Sequence, residues 1–140
     1  MEKIEKIRCS FVKLNNPAYV KYHDEEWCRK TYDENYIYEM FLLETFQAGL
    51  SWECILNKRE NFRSAYDGFD INKIIKYDDK KISELAENSG IIRNKAKIKA
   101  SIENSKIYYE IKEKYNGFYN FIYSVIGFER IYEDINITRT

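Results

Sequence analysis

Apolar residues recur along this 140-residue chain at helical spacing, not at the alternation of a strand. Ile37, Met40, Phe41, Glu44 and Ala48 fall at i, i+3, i+4, i+7 and i+11, which predicts one face of a helix ended by Gly49. Ser51 is placed to cap a following helix with Trp52, Ile55, Leu56, Arg59, Phe62 and Tyr66 along one side. Asp78 or Asp79 caps a helix carrying Ile82, Leu85 and Ala86 that stops at Gly90. A longer helix is predicted from about Asn94, with Ile98, Ile102, Tyr108 and Ile111 as its buried stripe. One more short helix spans Gly117 to Ile126, and beyond Gly127 the tail to Thr140 reads as extended or loose. A single proline and five glycines supply little of the punctuation that a sheet protein needs. The expected fold class is all-α, one small helical domain over residues 1–140 with no internal repeat and no linker.

Composition narrows the setting. With 44% hydrophobic residues, 13 Tyr and 8 Phe, the chain has enough apolar and aromatic material to exclude disorder. Its 23 basic residues balance 23 acidic ones, so a polyanionic partner would have to meet positive charge gathered on one face. Cys9, Cys28 and Cys54 make an odd set, which favours a reduced, cytoplasmic setting over a disulfide scaffold. Met1 to Lys6 carry mixed charge without an apolar stretch, and no run approaches membrane-spanning length, so neither a secretory signal nor a membrane partner is expected.

The segment from Tyr36 to Ala48 is apolar almost all round, the mark of a central helix, yet Glu44 sits inside it on the Ile37/Phe41/Ala48 side. Burying an ionised carboxylate costs several kcal/mol unless it is paired or neutralised. Two readings follow: a structural Glu44 bonded to a backbone amide or to an arginine such as Arg59, or a carboxylate lining a pocket for a cationic or hydrogen-bonding ligand. Glu39, on the same helix, shows no such conflict and reads as ordinary.

The run Leu85 to Lys95 reads as helix, tight turn at Gly90, then helix. Arg93, Lys95, Lys97 and Lys99 gather at the start of the second helix, where cations oppose the macrodipole. Exposed amides, the dipole and basic side chains make a phosphate site; a solvated lysine-rich face is the plainer alternative. His23, the only histidine, lies between aromatics and acids, and is read either as a hydrogen-bonded core residue or as a ligand.

Arg8-Cys9, Tyr22-His23-Asp24 with Glu26-Trp27, Leu43-Glu44, Gln47 to Trp52, Lys58 to Asn61 and Gly90 to Asn94 follow one another in that order. The series resembles the 3-methyladenine DNA glycosylase I family of the helix–hairpin–helix glycosylases, from Arg8 to about Phe121. The resemblance implies a monofunctional enzyme of base-excision repair, a monomer acting on double-stranded DNA with alkylated purines and releasing free 3-methyladenine by base flipping. It implies that Glu44 and Tyr22 contact the extruded base, that Trp52 stacks on it, and that Tyr19, Phe11 and Trp27 wall the pocket. Gly49 and Leu50 would plug the gap in the duplex, while Gly90, Ile91, Arg93, Asn94, Lys95 and Lys97 would grip the DNA backbone.

Departures from the family pattern are equally plain. Ser10-Phe11 stands where Gly-Trp is usual, and Cys28 follows Trp27 in place of glycine. The family's structural zinc takes two N-terminal and two C-terminal ligands; Cys9 and His23 match the first pair, but no histidine follows His23 and no cysteine follows Cys54. Zinc is therefore expected only as a half-site. The competing functional reading is a non-catalytic helical module that binds DNA or a protein partner.

Overall fold

The computed structural model describes residues 6–127, and within them every regular element is a helix. In order these are α1 (Pro17–Glu25), α2 (Glu34–Gln47), α3 (Trp52–Asn57), α4 (Arg59–Ala65), a 3₁₀ turn (Asp67–Phe69), α5 (Ile71–Ile74), α6 (Asp79–Glu87), α7 (Lys95–Tyr115) and α8 (Phe118–Ile126). The all-α expectation holds. The tail expected to be extended or loose lies outside the described residues.

Local chemistry accounts for most boundaries. Asn16 caps α1 ahead of Pro17, whose missing N–H costs nothing in a first turn. Asp33, Ser51, Asp78 and Asn94 cap α2, α3, α6 and α7, each accepting a hydrogen bond from an amide of the first turn. The helix expected to run unbroken from Trp52 to Tyr66 is instead two helices, α3 and α4, meeting at Lys58 with φ −102° and ψ 0°. Its apolar side survives the break, since Ile55, Leu56, Phe62 and Tyr66 are all buried. The kink turns Arg59 toward acidic groups on α1 and α2, contacts that no local spacing reveals.

The main core lies between α2 and α7, with α3 to α6 packed around it. In α2 the buried side is Tyr38, Leu42, Leu43 and Phe46, not the Ile37/Phe41/Ala48 side that the spacing suggested. A helix apolar all round carries no signal for which side faces inward. The serines of α7 are equally informative. Ser101 and Ser105 are buried and donate to the carbonyls of Ile98 and Ser101 at 2.6 Å each. Their hydroxyl protons are thereby used, so Tyr66 and Tyr38 donate to them, at 3.1 and 2.7 Å. Tyr108 stacks on Phe118 with centroids 3.9 Å apart, and its buried hydroxyl has no partner. Glu34 of α2 accepts from the amides of Phe118 and Tyr119 at 3.0 Å each, tying the start of α8 to the bundle.

These tyrosines should separate in denaturant titration. Tyr38→Phe is expected to lower stability by about 1 kcal/mol, the net worth of one hydrogen bond. Tyr108→Phe removes an unsatisfied group and should leave the unfolding midpoint unchanged or higher; a loss matching that of Tyr38→Phe would mean its hydroxyl is bonded in solution.

Candidate base-binding site

The N-terminal segment folds against α1 and α3 as a second, aromatic cluster. Tyr19 and Tyr22 lie one turn apart on the inner side of α1 and are 8% exposed each, packed with Val12 and Leu56. The Tyr22 ring is 5.4 Å from that of Trp52, whose buried indole N–H has no hydrogen-bond partner. Phe11 sits edge-on to Trp27 at 5.0 Å and near Tyr19 at 6.3 Å, while Trp27 stacks on His23 at 5.3 Å. Phe11 and Trp27 remain partly open to solvent. An aromatic wall with an open rim is thus in place, and an indole proton within it is unspent.

Glu44 stands at the end of α2 beside this wall. It is exposed rather than enclosed, which corrects the expectation of a buried carboxylate. Partial desolvation nevertheless raises its pKa. Its charge reaches Tyr22, whose phenol is pushed up to about 12 by burial first, then by Tyr36, then by Glu44. The alternative pairing of Glu44 with Arg59 does not occur, because Arg59 is engaged elsewhere.

The buried ion pair falls on the residue taken as ordinary. Arg59 donates from Nε to Glu39 Oε1 at 2.6 Å and forks onto both oxygens of Glu26 at 2.7 and 2.9 Å. Arg63 adds a second donor to Glu39 at 3.0 Å and pairs with Glu60. The side chains of Arg59 and Glu39 are only 11% and 13% exposed. Glu26 follows Tyr22 by one turn of α1 and Glu39 precedes Glu44 on α2, so the guanidinium joins the two helices that carry the candidate base contacts. The Lys58-Arg59-Glu60-Asn61 block marked this place in the sequence without disclosing the partners.

The same block reaches the hairpin. Asn61 donates to the carbonyl of Gly90 at 3.1 Å, and the Gly90 amide donates to Asn88 at 2.9 Å. A Cβ at Gly90 would lie 3.1 Å from side-chain atoms of both asparagines, so the close approach favours glycine. Arg93, Asn94 and Lys95 are exposed beyond the turn. Ile91 is 2% exposed, backbone included, and belongs to the core; its amide donates to the Asn88 carbonyl at 3.4 Å, so the expected DNA contact has no open group at this residue. Lys97 is also drawn inward: its ammonium donates to the carbonyls of Phe46 and Ala48, at 2.8 and 2.5 Å. Gly49 has φ +77°, a left-handed turn that suits glycine, and it presents Leu50, an apolar side chain 39% exposed.

His23 Nδ1 lies 3.0 Å from Asp24, which also takes a fork from Arg8, and His23 Nε2 is buried without a partner. A metal-ligating imidazole is held in the same way, with its far nitrogen on a carboxylate. Cys9, beside Arg8, is exposed. Among the described residues no group of three or more His, Cys, Asp or Glu could hold a metal ion, so the residues present do not fit a four-ligand zinc site. Nor is any helix among them long and apolar enough to cross a membrane.

Comparison with known proteins agrees with the pattern. The methyladenine glycosylase family model matches residues 12–140. The DNA-3-methyladenine glycosylase of Haemophilus influenzae is 38% identical over 128 residues, covering 91% of this chain and 69% of that protein. A crystal structure of a 3-methyladenine DNA glycosylase I superposes with a TM-score of 0.83 at 37% identity, over 91% of this chain and 70% of that one. A tyrosine-to-phenylalanine variant of such an enzyme, solved in complex with 3-methyladenine, gives a TM-score of 0.80 at 30% identity, over 86% of this chain and 64% of that one. The chain thus spans about two-thirds of the length of these relatives.

Replacing Arg59 tests the tie between the helices. Arg59→Met takes the guanidinium from Glu26 and leaves Glu39 with Arg63 alone, and should cost about 3 kcal/mol in denaturant unfolding. Arg59→Lys should recover only part of this, because a point charge cannot reproduce the bidentate fork.

Proposed function

This chain belongs to the methyladenine glycosylase family, and on that premise we propose that it excises 3-methyladenine from alkylated double-stranded DNA as a monofunctional N-glycosylase. One observation carries the reading. A partly desolvated carboxylate, Glu44, stands free of the arginine network beside a buried phenol, Tyr22, and an indole, Trp52, whose N–H awaits an acceptor. Such a group of side chains suits a flat, cationic, hydrogen-bonding ring.

The chemistry follows from the lesion. The target base cannot be reached inside the duplex and is flipped out, at a cost of a few kcal/mol that is lower for a damaged base. Leu50, on the left-handed turn at Gly49, fills the space it leaves, while the hairpin at Gly90 with Arg93, Asn94 and Lys95 holds the phosphates. In the pocket the ring stacks on Trp52, with Tyr19, Phe11 and Trp27 forming the rest of the wall. Methylation at N3 has already made the base cationic. The glycosidic C1′–N bond breaks, its electron pair neutralises the ring, and the sugar passes through an oxocarbenium-like state. Water then adds oxygen to C1′ and releases a proton. The leaving base needs no strong general acid. Glu44 recognises the positive charge and helps orient the ring, and a neutral adenine brings no charge to offset further desolvation of the carboxylate. This selection by charge is what separates lesion from normal base. The setting that fits is a cytoplasmic monomer, with free 3-methyladenine as product.

Incubation with methylated duplex DNA should liberate free 3-methyladenine, measured by chromatography. Trp52→Ala should reduce release by about ten- to a hundredfold, the worth of one stacked base at roughly 1–3 kcal/mol. Duplex binding without base release by the wild type would instead make the chain a DNA-binding module.

The pH dependence has a definite sign. Only the ionised Glu44 attracts a cation, and desolvation favours its neutral form, so kcat/KM should fall as pH drops through a carboxyl pKa above the usual glutamate value. Glu44→Gln should abolish that limb and lower the plateau; an unchanged acid limb would remove Glu44 from the role.

A further inference from the structure

Among the described residues of the basic hairpin, Lys97 is the one whose ammonium donates to two backbone carbonyls, those of Phe46 and Ala48. Those carbonyls belong to the last turn and the C-cap of α2, where the terminal C=O groups lack helical partners and the macrodipole is negative. The ammonium therefore sits where a cation is favoured, across about fifty residues of sequence, with two of its three protons used. Ala48 immediately precedes Gly49 and Leu50, and the Leu50 amide closes the turn onto the Gln47 carbonyl at 2.7 Å. At the other end, Lys97 lies in the first turn of α7, and its own amide is held by the Asn94 cap at 3.1 Å.

We propose that Lys97 is a positioning residue that fastens the Gly49–Leu50 turn to the start of α7, so that Leu50 enters the duplex at a set offset from the phosphate-holding hairpin. This rests on the glycosylase reading above. It replaces the expectation that Lys97 itself contacts phosphate. Both tasks need the same lysine head, and half-buried between two carbonyls it is not offered to DNA. Filling the gap in a base stack tolerates little error. A misplacement of about 1 Å is enough to reduce a reaction by roughly a hundredfold. A turn carrying a left-handed glycine and no stabilising strand has few other means of holding its position.

The two roles for Lys97 differ in salt dependence. A lysine that neutralises a phosphate contributes about one counterion to the slope of log affinity against log salt. Lys97→Met keeps the aliphatic stem and removes the ammonium. We expect its binding to intact, undamaged duplex to match the wild type in strength and salt slope. Its preference for a duplex carrying an abasic-site analogue over an intact one should fall by about tenfold, and single-turnover release of 3-methyladenine should fall with it. Lys97→Arg, which can still donate to both carbonyls, should restore the preference. If Lys97→Met does not fold, Lys97→Gln, a shorter neutral donor, carries the same comparison. A salt slope reduced by about one, with equal weakening on both duplexes, would make Lys97 a phosphate contact and overturn the proposal. So would a Lys97→Met protein that keeps the wild-type preference. A wild type with no preference for the abasic duplex and no base release would instead overturn the glycosylase function, which separates the two failures.

Discussion

A single guanidinium, that of Arg59, decides the geometry on which the site depends. It forks onto Glu26 at the end of α1 and reaches Glu39 in the middle of α2, so the helix carrying Tyr22 and the helix carrying Glu44 are held by one planar group. A half-buried network of this kind adds little net stability compared with a well-packed apolar equivalent, and breaking it is expensive. Its value here is orientation. The kink at Lys58 that divides α3 from α4 is the backbone change that brings Arg59 round to these acids.

Saturating Arg59 with Glu26 and Glu39 has a consequence for Glu44. Five residues apart on one helix, Glu39 and Glu44 are rotated by about 140° from one another, so they face different surroundings. Glu39 lies inward among arginines, while Glu44 stands at the aromatic rim without a counter-cation, and desolvation alone raises its pKa. With the nearest arginines committed elsewhere, a cationic base meets no internal competitor for that carboxylate. The exposure of Glu44 suits the proposed role better than full burial, because a flipped base would have to arrive from solvent.

The hairpin and the Gly49–Leu50 turn are joined to the aromatic cluster by similar long-range links. Asn61, two residues beyond Arg59, bonds the hairpin turn at Gly90, and Lys97 at the head of α7 bonds the end of α2. Hairpin, turn and aromatic cluster are consequently connected through side chains that touch backbone carbonyls. This is how a small helical protein can hold three contact surfaces in register without a sheet.

Much of this was legible in the chain itself. The cap at Ser51, a capping aspartate at Asp78 or Asp79, the helix start near Asn94, the stops at Gly49 and near Gly90, and the apolar stripes of α6 and α7 act over three or four residues, so their spacing determines helices with little help from elsewhere. The ordered blocks from Arg8 to Asn94 carried the family resemblance in the same way. Tertiary structure alone decided which side of α2 is buried, because a helix apolar all round offers no moment to read. It also decided that Glu39 and not Glu44 takes the arginines, and that Lys97 turns inward from the basic cluster. Those outcomes are pairings across twenty to fifty residues, where the energy comes from desolvation and from orphan helix-end carbonyls, and neither exists until the helices have packed.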